Sequence, residues 1–160
     1  MRYLRAHSEE LGLDPNRMVA MGESAGGYMA SLLGLTADRT EWDRGDNRQE
    51  SAAVNGVCAF YPVTQPTRFG VEEGTVSLHA DAVNYPDLPQ LITPSAPPFL
   101  ILQGDSDTQV PMRHSRVFYD TLQQKGVRSE LHLFHGADHS DAVFFEDSTK
   151  QTILNFINTL

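Results

Sequence analysis

Four short apolar runs are spaced along this chain, and helical patterns separate them. The runs are 17–22 (RMVAMG), 54–60, 99–102 and 131–134. Each has the length of a strand, and three of the four lack polar alternation. Strands that alternate with helices pair in parallel through right-handed crossovers. Such strands are covered on both faces, which accounts for the missing alternation. The expected class is therefore α/β: four parallel strands flanked by helices. The length of 160 residues predicts one domain over 1–160.

The helical patterns fall at 2–11, 25–35, 112–125 and 142–159. Tyr3, Leu4 and Leu11 are the apolar contacts of the first, which Gly12 and the Asp14-Pro15-Asn16 turn bring to an end. Pro111 suits the first turn of the third. Phe144, Phe145, Ile153, Phe156 and Ile157 give the fourth an apolar face. Residues 37–51 are polar and predict a loop. The proline-rich stretch 62–97 predicts no long element, and we expect an excursion near the carboxyl ends of the strands, where open α/β sheets bind ligands.

Charge and composition exclude several functions. Lys and Arg number 12 against 21 Asp and Glu, a net charge of −9. Nucleic acids and anionic membranes both need a positive footprint, so neither is expected as a partner. No apolar run approaches the roughly 20 residues of a spanning helix. Cys58 is the single cysteine, which rules out an internal disulfide and a multi-cysteine metal cluster. Its apolar strand favours a buried, inert thiol. The first residues are too polar for a signal peptide. The compartment stays open, with a cytoplasmic one favoured.

The chemistry concentrates at Gly22-Glu23-Ser24-Ala25-Gly26-Gly27, a G-x-S-x-G motif between a predicted strand and a predicted helix. A nucleophilic serine must stand on a strained turn with its hydroxyl exposed. Small residues two before and two after it let strand and helix approach closely. The helix start aims amides at a developing oxyanion, and the amide of Ala25 is the natural donor. The plainer alternative is a Gly/Ser-rich helix start with Ser24 as an ordinary cap. A nucleophile also needs a base and a group to orient it. The third strand runs into a turn with two carboxylates, Asp105 and Asp107. The fourth runs into His135-Gly136-Ala137-Asp138-His139. Serine, acid and histidine thus follow one another, each just past a strand, the order of an α/β-hydrolase.

The stretches LGLDPNRMVAMGESAGGYMASLLGL, NGVCAFYPVT, SAPPFLILQGDSDTQVP and LHLFHGADHSDAVFF resemble the α/β-hydrolase esterases, and within them the dienelactone-hydrolase-like group of bifunctional feruloyl and acetyl-xylan esterases. The resemblance implies a serine carboxylester hydrolase for short acyl esters, including acetylated or feruloylated carbohydrate. It implies Ser24 as nucleophile, Asp107 as acid, since the second aspartate of G-D-x-D-x-x-V-P has that role, and His139 as base. It implies no cofactor and no metal. An oligopeptidase of similar fold, or a binding module that keeps these residues without turnover, remains as an alternative.

The chain departs from the family in one respect. Several strands normally precede the nucleophile, and here one does, so the resemblance implies the C-terminal part of the fold. The H-G-G-G-type loop that supplies a second oxyanion donor has no counterpart in these residues. The first strand should then be an open apolar edge, which predicts a homo-oligomer or a partner chain supplying the missing strands.

Other residues have weaker claims. His135 and His139 are four apart, but no Glu stands between them as in a zinc helix and Gly136 interrupts, so a metal pair is disfavoured. His132 is expected to be a packed or half-exposed strand residue. His79 and Asp81 belong to the long loop, where solvent contact is the simpler role. Trp42 suits either a pocket wall or a surface anchor. Glu41, Asp43 and Asp46 alternate with Arg44 and Arg48 as a solvated face.

Overall fold

A computed structural model describes residues 1–40, 43–68 and 85–160. His79, Asp81, Trp42 and Glu41 lie outside the described residues. Four strands form one sheet: β1 (Val19–Glu23), β2 (Gly56–Phe60), β3 (Phe99–Gly104) and β4 (Ser129–Phe134). All neighbours pair in parallel, and the spatial order β1-β2-β3-β4 equals the order in the chain.

That order fixes where the helices go. A right-handed crossover between parallel strands running one way across a sheet always falls on the same face. Helix α3 (Ala25–Leu35) joins β1 to β2 and α4 (Arg113–Gln124) joins β3 to β4. Between them, the β2–β3 connection contributes a short 3₁₀ turn, Leu88–Leu91. These elements bury Ala20, Val57, Ala59, Phe99 and Ile101 on the first face, with Tyr28, Leu88, Phe118 and Leu122 packed against them. Helix α5 (Asp147–Ile157) follows the last strand and is free to cover the second face. There Cys58, Phe60, Leu100 and Leu102 meet Phe144, Ile153 and Phe156. Every residue of β2 and β3 is buried, as a doubly covered strand requires.

Three expectations change. The helix expected at 2–11 is two short ones, α1 (Arg2–Ala6) and α2 (Ser8–Leu11), broken at His7. Neither has a fully buried residue, and Leu4 alone of the expected apolar face packs on the first core, too little to propagate one long helix. The helix expected at 142–159 is a 3₁₀ turn, Ala142–Phe145, followed by α5 after an extended Glu146. Phe144 drops into the second core from that turn, and the buried Thr149 hydroxyl donates to the Val143 carbonyl at 2.6 Å, satisfying an acceptor at the break. The excursion expected over 62–97 is only partly one. Residues 69–84 lie outside the described ones, and of the rest Leu88, Leu91 and Ile92 join the first core.

Candidate active site

Three loops at the carboxyl end of the sheet carry the expected residues, and the structure brings two of them, Asp107 and His139, into contact. The first is the turn from β1 to α3. Ser24 stands between them at φ 52°, ψ −118°, and its hydroxyl makes no capping bond. The ordinary-cap alternative therefore fails: the backbone is strained and the side chain is not used to cap the helix. Gly22 makes the turn feasible, since a Cβ there would lie 2.3 Å from the Gly26 carbonyl oxygen. The matching expectation for Gly26 does not hold, because its own Cβ position is open. Gly27 is the second tight position, its Cβ falling 3.0 Å from the Phe60 carbonyl oxygen. Ala25, the first residue of α3, has its amide among the helix-start donors without an intrahelical acceptor.

The second loop follows β3. Asp107 is buried, and each carboxylate oxygen has two donors. Oδ1 accepts from the amides of Gln109 (2.9 Å) and Val110 (2.8 Å). Oδ2 accepts from Gln103 Nε2 (3.1 Å) and His139 Nδ1 (2.9 Å). The third loop, after β4, carries His139, whose side chain is only 7% exposed. A carboxylate can only accept, so the shared proton sits on Nδ1, the tautomer that in a neutral ring leaves the lone pair on Nε2.

Two more carboxylates fasten the second loop to the third. Asp105 accepts from His135 Nδ1 and from the Gly136 amide, both at 2.7 Å. Asp138 reaches the other way, accepting from the Thr108 amide (2.8 Å) and hydroxyl (2.9 Å) and from the His139 amide (2.7 Å). The bond from His135, then that from Gly136, holds the Asp105 carboxyl below its usual range, and Asp105 in turn raises His135. The Thr108 amide, ahead of the His139 amide, lowers Asp138. Gly104 permits the contact, for a Cβ there would sit 2.2 Å from the Ala137 carbonyl oxygen. The two histidines of the disfavoured metal pair thus serve different carboxylates. His132 stays half-exposed beside Glu130. Cys58 is fully buried, and its thiol is pushed up to about 12, by burial first and then by the Glu130 charge.

Two residues of this end of the sheet escape sequence reasoning. Gln103 closes an apolar strand and reads as its polar end. It is fully buried instead, held by the Ser115 hydroxyl (2.6 Å) while its amide serves Asp107. Tyr61, just past β2, is fully buried beneath His139, with ring centroids 4.4 Å apart. Burial, then a bond to Glu23, pushes its phenol up to about 12.

A parallel sheet with a strained serine turn after one strand and an acid–histidine pair after two later ones defines the α/β-hydrolase fold class. The chain belongs to the BD-FAE family, whose model matches residues 1–122. It is 28% identical over 161 residues to the probable isoprenylcysteine alpha-carbonyl methylesterase ICMEL1 of Arabidopsis thaliana, covering 88% of this chain and 33% of that protein. It is 30% identical over 138 residues to the probable carboxylic ester hydrolase LipM of Mycobacterium tuberculosis, covering 78% and 32%. The structure of an acetyl ester-xyloside bifunctional hydrolase from Caldicellulosiruptor lactoaceticus superposes with a TM-score of 0.76 at 27% identity, over 98% of this chain and 60% of that one. The chain thus spans a third of the length of these curated relatives. No helix among the described residues is long and apolar enough to cross a membrane.

Proposed function

We propose that this chain carries the catalytic triad of a serine carboxylester hydrolase for short acyl esters. The observation that supports it most is the bond from His139 to a buried, four-times-bonded Asp107, at the same end of the sheet as a serine whose hydroxyl does not cap its helix. Ser24 Oγ attacks the acyl carbon while His139 Nε2 takes its proton. Asp107 orients the ring and stabilises its cationic form. The Ala25 amide holds the oxyanion. His139 returns the proton to the leaving alcohol, and water then releases the acyl group through the same histidine. All three residues lie in one domain over 1–160, and no cofactor or metal takes part. Acetylated or feruloylated carbohydrate is the proposed substrate class, in keeping with the acetyl ester-xyloside hydrolase among the structural relatives.

The open edge of β1 belongs to the same proposal. Its outer side has no strand partner among the described residues, and Met21 on it is 50% exposed. A second copy, or a chain that supplies further strands, pairs there and contributes the second oxyanion donor. Mass in solution measured across concentration tests this, and a monomer at every concentration refutes self-association.

Hydrolysis of p-nitrophenyl acetate by the chain and by its Ser24→Ala variant tests the chemistry. The expected outcome is a loss of at least about 10³-fold in kcat. Equal rates in the two proteins would overturn the proposal.

A further inference from the structure

Four non-glycine residues among those described have a positive φ, and three of them meet at one junction: Ser24 at 52°, Tyr61 at 35° and Ser140 at 58°. The fourth, Asn47, lies in the polar loop. Strained backbone persists only where its surroundings hold it. Here the restraints are visible. The Ser24 amide donates to the Phe60 carbonyl at 2.9 Å, and the Tyr61 amide donates to the Leu102 carbonyl at 2.7 Å. The Tyr61 phenol donates to Glu23 Oε2 at 2.6 Å and lies beside the Ser140 side chain. Its ring packs on His139 and, with centroids 4.8 Å apart, on Phe144. One buried side chain thus touches the residue before the nucleophile, the histidine itself and the residue after the histidine.

Packing alone does not call for the hydroxyl, because a phenylalanine would fill the same space. Nor does Glu23 need the phenol: it is exposed, and water can solvate its carboxylate. A bond to a charged acceptor adds stability, but that is not all this one does. What it does fix is a distance, and a misplacement of about 1 Å between reacting groups can cost 10²-fold in rate. We propose that Tyr61 is a positioning residue that holds the Ser24 turn and the His139 loop at a set separation through its hydrogen bond to Glu23. The inference rests on the reading of Ser24 and His139 as nucleophile and base.

The experiment measures kcat and KM for p-nitrophenyl acetate in the full chain, as wild type, Ser24→Ala, Tyr61→Phe, Glu23→Ala, Glu23→Gln and the double variant Tyr61→Phe/Glu23→Ala. Tyr61→Phe should lower kcat about tenfold with KM within about twofold, the scale of one hydrogen bond to a charged acceptor. Glu23→Ala should match it. The double variant should be no worse than the more impaired single one, since both remove the same bond. Glu23→Gln, which still offers the phenol an acceptor, should recover most of what Glu23→Ala loses. Thermal melts check folding, and Glu23→Ala, at an exposed position, carries the same expectation should Tyr61→Phe misfold. An unchanged kcat in Tyr61→Phe, losses that multiply in the double variant, or an effect on KM alone would overturn the role of Tyr61. If turnover does not depend on Ser24, the catalytic reading falls and this inference with it. If it does and Tyr61→Phe equals wild type, only this inference falls.

Discussion

At β3 and β4, Asp105, Asp107 and Asp138 tie two loops to one another, each carboxylate with three or more donors. At β1, the opposite side of the sheet, one residue of five is buried, and Met21 and the neighbouring helix residue Met29 are 50% and 56% exposed. Both sides follow from the topology. Crossovers on one face and a single terminal helix on the other leave the outer half of β1 uncovered, while the ends of β3 and β4 face each other closely enough to bond. The difference separates two kinds of dependence. Geometry at the acid–histidine end is set by networks within the chain, whereas β1 depends on whatever lies beside it.

Substitutions on the two sides should therefore differ in kind as well as size. The largest effect is expected from Asp107→Asn. An amide in place of the carboxylate disfavours the histidine tautomer that catalysis needs, and kcat should fall by about 10⁴-fold with the fold retained. Activity in an otherwise intact Asp107→Asn protein would break the contrast at its strongest point.

A smaller effect should follow pH. Asp105 and Asp138 are held below their ordinary value of 3.8, so their contribution to stability is complete above that value and is lost as pH falls through the lowered ones. His135 is raised above 6.5, so its share is complete below 6.5 and is lost as pH rises through the raised value. The loops should be most firmly joined between those limits. Melting temperature against pH should decline on the acid side, and Asp138→Asn should flatten that decline. An unaltered acid limb in the variant would show that the carboxylate does not hold the loops. The smallest effect on stability, within about 0.5 kcal/mol, is expected from Met21→Lys at the exposed edge. Its consequence should appear in association instead, since a charge on an open strand opposes pairing with another chain. A mass-against-concentration curve identical to wild type would show that β1 is not where chains meet.

Legibility in the sequence follows the same division. The two central strands are readable because doubly covered strands are apolar without alternation, and the bounds of all four strands shift by one or two residues, as where polar Ser129 and Glu130 extend β4. Asp105 and Asp107 illustrate a limit. Each stands in the same turn, and in the structure each carboxylate bonds its own histidine, His135 or His139. Spacing alone does not show which histidine is nearly buried and which is 99% exposed. Gln103, Glu23 and Tyr61 carry no motif, because Gln103 is held by Ser115, 12 positions away, and Glu23 meets Tyr61, 38 positions away. The break at His7 is equally hidden, since apolar spacing in 2–11 promises one buried face, and only Leu4 packs on the core while Tyr3 and Leu11 stay exposed.

A sheet whose spatial order copies its chain order also imposes a sequence on its own assembly. Each strand joins the one made just before it, so growth from the N-terminal side as synthesis proceeds needs no rearrangement. The serine turn is complete once β2 has docked, for its amide is held by Phe60. The histidine arrives only with the loop after β4. On the proposed reading, a nascent chain therefore displays its serine before it has a base, and the hydroxyl stays chemically silent until the last strand is in place.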